Sequence, residues 1–227
     1  MTVAGPDPGL DPVVRESTPA LIARTLRRAI SDGIFAPGTQ LGEAGLARSL
    51  GVSRGPLREA MQRLTQEGLL VSHRNRGLFV SDLSAEAVED MYLLRTTVET
   101  AALGRVLDLG LGPVTADALD AAVDAMAALA DEPRSEAMVG ADLDFHHVLV
   151  EAARSPRLSR VHETVLVETS MCLHAMRGTY SDAASRLAEH RAIADAVRAG
   201  DADRSRTLLV EHMRDGLDRV RERGGAR

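Results

Sequence analysis

Leu21, Ile22, Leu26 and Ile30 recur at the spacing of one helix face, and Asp32-Gly33 followed by Pro37-Gly38 stops that helix. Glu43 to Leu50 supplies two further helical turns closed by Gly51. Ser53 is placed to cap a third helix. Pro56 is tolerated in its first turn, and Leu57, Met61 and Leu64 form its buried stripe up to Gly68. The pattern then changes period. Leu69-Leu-Val-Ser and Leu78-Phe-Val-Ser read as two short strands, joined by the basic turn His73-Arg-Asn-Arg-Gly. Three helices followed by a β-hairpin predict a winged helix-turn-helix over residues 17–82. The preceding stretch, 1–16, is rich in Pro, Gly and Asp without periodicity and reads as a flexible tail.

From 83 to 227 the pattern is helical throughout. Ser84 is the expected N-cap of a long helix that carries Val88, Met91, Tyr92, Arg95, Val98, Glu99 and Ala102 on its repeating positions. Further helices fit Ala116 to Leu129, Glu136 to Ala153, Leu158 to Ala175, Asp182 to Ala199 and Ala202 to Arg221, each bounded by Gly, Pro or Ser-Pro. The expected fold class is therefore mainly α, an N-terminal winged helix-turn-helix plus a C-terminal all-α helical bundle.

Composition excludes several alternatives. A content of 44% hydrophobic residues is enough for two cores in 227 residues, so a disordered chain is ruled out. The longest apolar runs are only a few residues, and the first twenty residues lack a basic segment followed by an apolar one. Neither a membrane span nor a secretory signal is expected, which predicts a cytoplasmic protein. Cys172 is the single cysteine, so any metal site must be built from His and carboxylates. The net charge of -6 is unevenly spread: residues 21–80 hold nine arginines against four acids, net +5, whereas 81–227 hold seventeen against twenty-six, net -9. Only the first block suits a polyanion.

Within that block, Arg54 and Arg58 stand at i and i+4 on the first turns of the helix that Ser53 begins, where a recognition helix meets base edges and phosphates. An arginine there can bond a guanine bidentately in the major groove. Arg74, Asn75, Arg76 and Gly77 form the hairpin tip, placed as a wing for backbone or minor-groove contact. The segments Gly33-Ile-Phe-Ala-Pro-Gly-Thr-Gln-Leu-Gly-Glu, Leu46-Ala-Arg-Ser-Leu-Gly-Val-Ser-Arg-Gly-Pro-Leu-Arg-Glu-Ala, Leu64-Thr-Gln-Glu-Gly-Leu-Leu and Asn75-Arg-Gly-Leu-Phe-Val resemble the DNA-binding domain of GntR-family bacterial transcription regulators. The resemblance implies a homodimer on a short palindromic operator of double-stranded DNA, with Ser53, Arg54, Arg58 and the turn from Arg74 to Gly77 at the DNA. Ala44 departs from relatives that carry a further arginine at that position, so no operator sequence is implied.

The chemistry of the acidic block lies in its histidines. Asp142 and His146 leave one helix face at i and i+4, and Asp144, two residues from His146, faces elsewhere. His190 and His212 are centred on the Ala199-Gly200-Asp201 turn. In an antiparallel pair both stand at the same height, roughly 15 Å from the turn at 1.5 Å per residue. One Asp and three His from three helices form a set suited to zinc, nickel, manganese or iron. His73, His147, His162 and His174 are expected to be surface or satisfied core residues. The runs from Asp142 through Ala153, Ser155-Pro-Arg-Leu, Glu189-His-Arg-Ala-Ile and the later His212 resemble the FCD effector domain of the FadR-type branch of the same family. That resemblance implies a divalent metal, zinc first, on Asp142, His146, His190 and His212, with a small carboxylate effector completing its coordination. Arg95 and Glu99 resemble an Arg-x-x-x-Glu pair of the first FCD helix. They read either as an i, i+4 ion pair or as a cavity arginine that grips the effector. The expected function is a ligand-responsive DNA-binding regulator and not an enzyme, since no second carboxylate or nucleophile accompanies the metal set. The alternative is a winged-helix protein with a catalytic or purely structural metal site.

Overall fold

The computed structural model describes residues 16–82, 84–133, 135–175 and 183–224. Of the tail expected over 1–16, residues 1–15 lie outside the described residues, as does Asp182 at the expected start of a helix. α1 (Thr18–Ser31) begins where the Ser17 hydroxyl accepts the Ala20 N–H, and it buries Ile22, Ala23, Leu26 and Ile30. α2 (Glu43–Leu50) ends at Gly51, whose left-handed φ of 64° is glycine's natural conformation. α3 (Arg54–Gln66) packs on α1 through Leu57, Ala60, Met61 and Leu64. Ser53 occupies its N-cap position, but the hydroxyl makes no cap hydrogen bond and is left exposed.

β2 (Leu70–His73) and β3 (Gly77–Val80) form the expected antiparallel hairpin, with Leu70 opposite Val80 and His73 opposite Gly77. A third strand, β1 (Gln40–Leu41), adds to the other edge of β3, giving the order β1-β3-β2. The hairpin tip turns through Asn75 at φ 62° and Gly77 at φ 92°, left-handed conformations that Asn and Gly tolerate best.

The rest of the described chain is helical: α4 (Ala85–Asp108), α5 (Gly112–Ala127), α6 (Glu136–Ala152), α7 (Pro156–Ala175), α8 (Ala183–Ala199) and α9 (Ala202–Gly224). Ser84 caps α4 by accepting the Ala87 N–H, and all seven positions expected to face inward on α4 are buried. α4 packs against α9, α7 and α6, while α5 lies on α8 and α6, so α4, α6, α8 and α9 enclose a central space. Phe145, Leu119, Leu149, Ile193 and Leu209 are among the residues that fill its apolar part.

α7 belongs to two cores at once. Its Val167 and Met171 join Leu26, Ile30, Leu64 and Leu69 in the core of the winged helix, and Ser170 donates to the Ser31 carbonyl at 2.9 Å. Gly33, at φ 71°, brings the backbone after α1 against the His174 side chain. The DNA-binding head is therefore docked on the bundle, not hung from a linker.

Candidate functional site

His146, His190 and His212 converge inside the bundle from α6, α8 and α9, with one ring nitrogen of each lying within 4.8 Å of the others. The Nδ1 atoms point away from this cluster. That of His146 bonds Glu99 Oε2 at 2.7 Å, that of His190 the Arg186 carbonyl at 2.9 Å, and that of His212 Glu189 Oε2 at 2.9 Å. Carbonyl and carboxylate oxygens only accept, so each Nδ1 carries a proton, and in a neutral ring that leaves the lone pair on Nε2. The Nε2 atoms of His146 and His212 face one another at 3.3 Å, and that of His190 is buried with no hydrogen-bond partner. Three ring nitrogens gathered at a common point, each ring oriented by an acceptor behind it, are the donor set a divalent cation requires. The residues present therefore fit a metal ion.

Asp142 stands beside the trio. Its Oδ1 lies 3.5 Å from His190 Nε2 and accepts from Arg186 Nη1 at 2.9 Å. The four expected ligands are thus neighbours, with the three imidazoles as the tight cluster and Asp142 held to one side by Arg186. Asp144 is exposed, as its helix position requires. Burial opposes a charge on His146 and, with the nearby Arg95, pulls its pKa down to about 4; burial and His212 hold His190 well below the ordinary value. Burial works against ionisation of Asp142 too, yet Arg186 and the imidazoles outweigh it and keep the carboxyl ionised.

Glu99 is the hub behind this cluster. Fully buried, it accepts from Arg95 Nε at 2.8 Å, bonds His146 at 2.7 Å and bonds His162 Nε2 at 3.0 Å. Arg95 stands between this hub and a cavity. It forms the i, i+4 ion pair, and it also lines a cavity with Tyr92, Asp142, Arg186, His212 and Arg219. Its Nη2 is buried without a hydrogen-bond partner. Gly216 lets α9 approach the wall of this cavity, because a Cβ there would stand 3.1 Å from the Tyr92 hydroxyl.

In the winged helix, Ser53, Arg54, Arg58, Arg74, Asn75, Arg76 and Gly77 are all exposed. Arg58 pairs with Glu43 of α2 at 2.7 Å, and the Arg76 guanidinium lies over the Phe79 ring at 5.2 Å. Gln40 of β1 donates to the Arg76 carbonyl and ties the wing tip to the sheet.

Residues 20–80 match the model of the gntR family of bacterial regulatory proteins, and residues 90–215 match the FCD domain. The chain belongs to the GntR family. It carries that family's DNA-binding domain ahead of an FCD domain and is a DNA-binding transcription regulator. An uncharacterized HTH-type transcriptional regulator of Mycobacterium tuberculosis is 32% identical over 203 residues, covering 84% of each chain. A putative GntR transcriptional regulator from Rhodococcus sp. RHA1 superposes with a TM-score of 0.74 at 27% identity, over 90% of this chain and 98% of that one. E. coli McbR/YncC shares the fold, with a TM-score of 0.79 at 20% identity over 92% and 99% of the two chains. Among the described residues no helix is long and apolar enough to cross a membrane.

Three residues of the FCD site escape sequence reasoning. Glu189 and Arg186 precede His190 by one and four positions, yet they act on His212 and Asp142, which lie 23 and 44 residues away. His162, expected to be a surface or satisfied core histidine, is buried with its Nε2 on the carboxylate that also orients His146, while its Nδ1 has no hydrogen-bond partner. The only sequence signal was the run of helical spacings on α8; the partners depend on how α6, α8 and α9 pack.

Proposed function

We propose that this GntR-family protein is a metal-dependent, carboxylate-responsive regulator that binds a palindromic operator as a homodimer. The observation that carries the reading is the convergence of three buried imidazoles from three helices, with the Nε2 of His190 left without a hydrogen-bond partner, a cost in free energy that a cation recovers. His146, His190 and His212 hold the ion, zinc first, with Asp142 as the fourth ligand. Glu99, Glu189 and the Arg186 carbonyl fix the rings. Once bound, the ion supplies a Lewis-acidic point of attachment for an oxyanion, and Arg95 offers its unpartnered Nη2 to the same carboxylate. On the DNA side, Arg54 and Arg58 read the major groove while Ser53 and the tip from Arg74 to Gly77 contact backbone or minor groove.

Elemental mass spectrometry of the purified protein tests the centre. About one divalent ion per chain is expected, with a marked drop in His190→Ala and His212→Ala. Equal metal content in wild type and His212→Ala proteins would remove the site.

A further inference from the structure

We propose that the cavity beside the imidazole cluster takes a compact dianion, a small dicarboxylate, and that Arg186 holds its second carboxylate. This deepens the effector reading above and rests on it. Three guanidinium groups line the one cavity, from three helices: Arg95 on α4, Arg186 on α8 and Arg219 on α9. Arg95 leaves its buried Nη2 without a hydrogen-bond partner. Arg219 reaches Glu189 only at 3.4 Å and is half-buried.

Charge balance points to the ligand's class. Among the described residues, these guanidiniums face three carboxylates, pairing as Arg95–Glu99, Arg186–Asp142 and Arg219–Glu189. With neutral imidazoles the group of side chains is balanced as it stands. A divalent ion on the imidazoles therefore introduces two uncompensated positive charges into a buried place, where leaving charge unpaired is costly. A monocarboxylate offsets one of them and a dicarboxylate both.

Asp142 makes Arg186 the responsive partner. Its Oδ1 is both the acceptor for Arg186 and the carboxylate oxygen nearest His190, so a cation held by His190 and Asp142 competes with Arg186 for that atom. The guanidinium already lies in the cavity wall and can turn its fork to a second carboxylate. The free space is about 30 Å³, so the ligand must be compact and enter by taking over contacts that the arginines now make with their carboxylate partners. Leu173, Met213 and Val220 line the remainder and suit a short carbon spacer.

Calorimetric titration of full-length, zinc-saturated protein tests this with acids matched in carbon number, butyrate against succinate and propionate against malonate. The dicarboxylate of each pair is expected to bind about tenfold tighter or more, the gain typical of one further charge-assisted bidentate contact. In R186Q the succinate-to-butyrate ratio collapses toward one, and R186K retains part of it. Taking a ratio removes any loss common to both acids. Because R186Q strips a buried carboxylate of its partner, the wild-type comparison decides without any variant. Succinate binding no tighter than butyrate, or a ratio unchanged in R186Q, overturns the dianion proposal while leaving the effector site intact. If none of the four acids binds, the effector reading falls and this proposal with it.

Discussion

His146 and His190 are buried imidazoles that fold into place uncharged. Each has an acceptor fixing its Nδ1 proton and positive neighbours opposing a second one. In the unfolded chain they titrate near the ordinary 6.5, whereas folded His146 titrates near 4. Between those values the unfolded state binds more protons, so metal-free stability is complete above pH 6.5 and declines as pH falls toward 4. His146 alone accounts for on the order of 3 kcal/mol across that window. Asp142 and Glu99, whose carboxyls are held down, contribute stability that is complete above their ordinary values of 3.8 and 4.5 and is lost as pH falls below them. Urea titrations of chelator-treated protein at pH 7.5, 6 and 5 measure the slope. A His146→Gln protein, unable to titrate there, is expected to show a shallower one, and a wild-type midpoint independent of pH refutes the neutral-imidazole picture.

At the scale of elements, α3 presents Arg54 and Arg58 on a helix whose opposite face is locked by Leu57, Met61 and Leu64. The Arg58–Glu43 pair is exposed, and such pairs contribute little to stability, so the guanidinium can exchange it for a phosphate or a base. Arg54→Ala and Arg58→Ala are each expected to cost about 1 to 3 kcal/mol of specific operator affinity while leaving the melting transition nearly unmoved. Gel shifts beside thermal melts check both halves, and wild-type affinity in both folded variants would dismiss α3 as the reading helix. The order of elements was legible because each carried its own period and punctuation. β1 was not, because a strand of two residues carries no alternation. α5 starts at Gly112, earlier than the Ala116 that the pattern predicts. The Gly-Pro pair reads as a breaker, yet Pro113 falls in the first turn and Gly112 seats the helix against the Val197 carbonyl, which a Cβ would approach to 2.6 Å. The candidate metal residues were equally visible, through i, i+4 spacing and equal distance from a turn. Arg186 and Glu189 were not, since their partners are set by packing between helices.

Over the whole molecule, the centre and the DNA-binding surface are joined through α7, whose His162 bonds Glu99 and whose Val167 and Met171 sit in the winged-helix core. An effector that binds one dimer geometry better than another alters operator affinity by its differential affinity, commonly about 1 to 3 kcal/mol. Chelation is expected to abolish the response to a carboxylate while leaving basal operator binding largely intact. Anisotropy of fluorescent operator, titrated with succinate before and after metal removal, tests this. An equal response in metal-free protein would make the ion purely structural. The same docking has a consequence for anyone cutting or grafting the protein. A fragment ending after the wing would carry a socket shaped for Val167 and Met171 with nothing in it, and would be sticky and weakly folded on that side. Swapping DNA-binding heads between regulators of this build thus means matching a strip of α7 as well as a hinge, so specificity is portable only where the two partners' apolar seams agree.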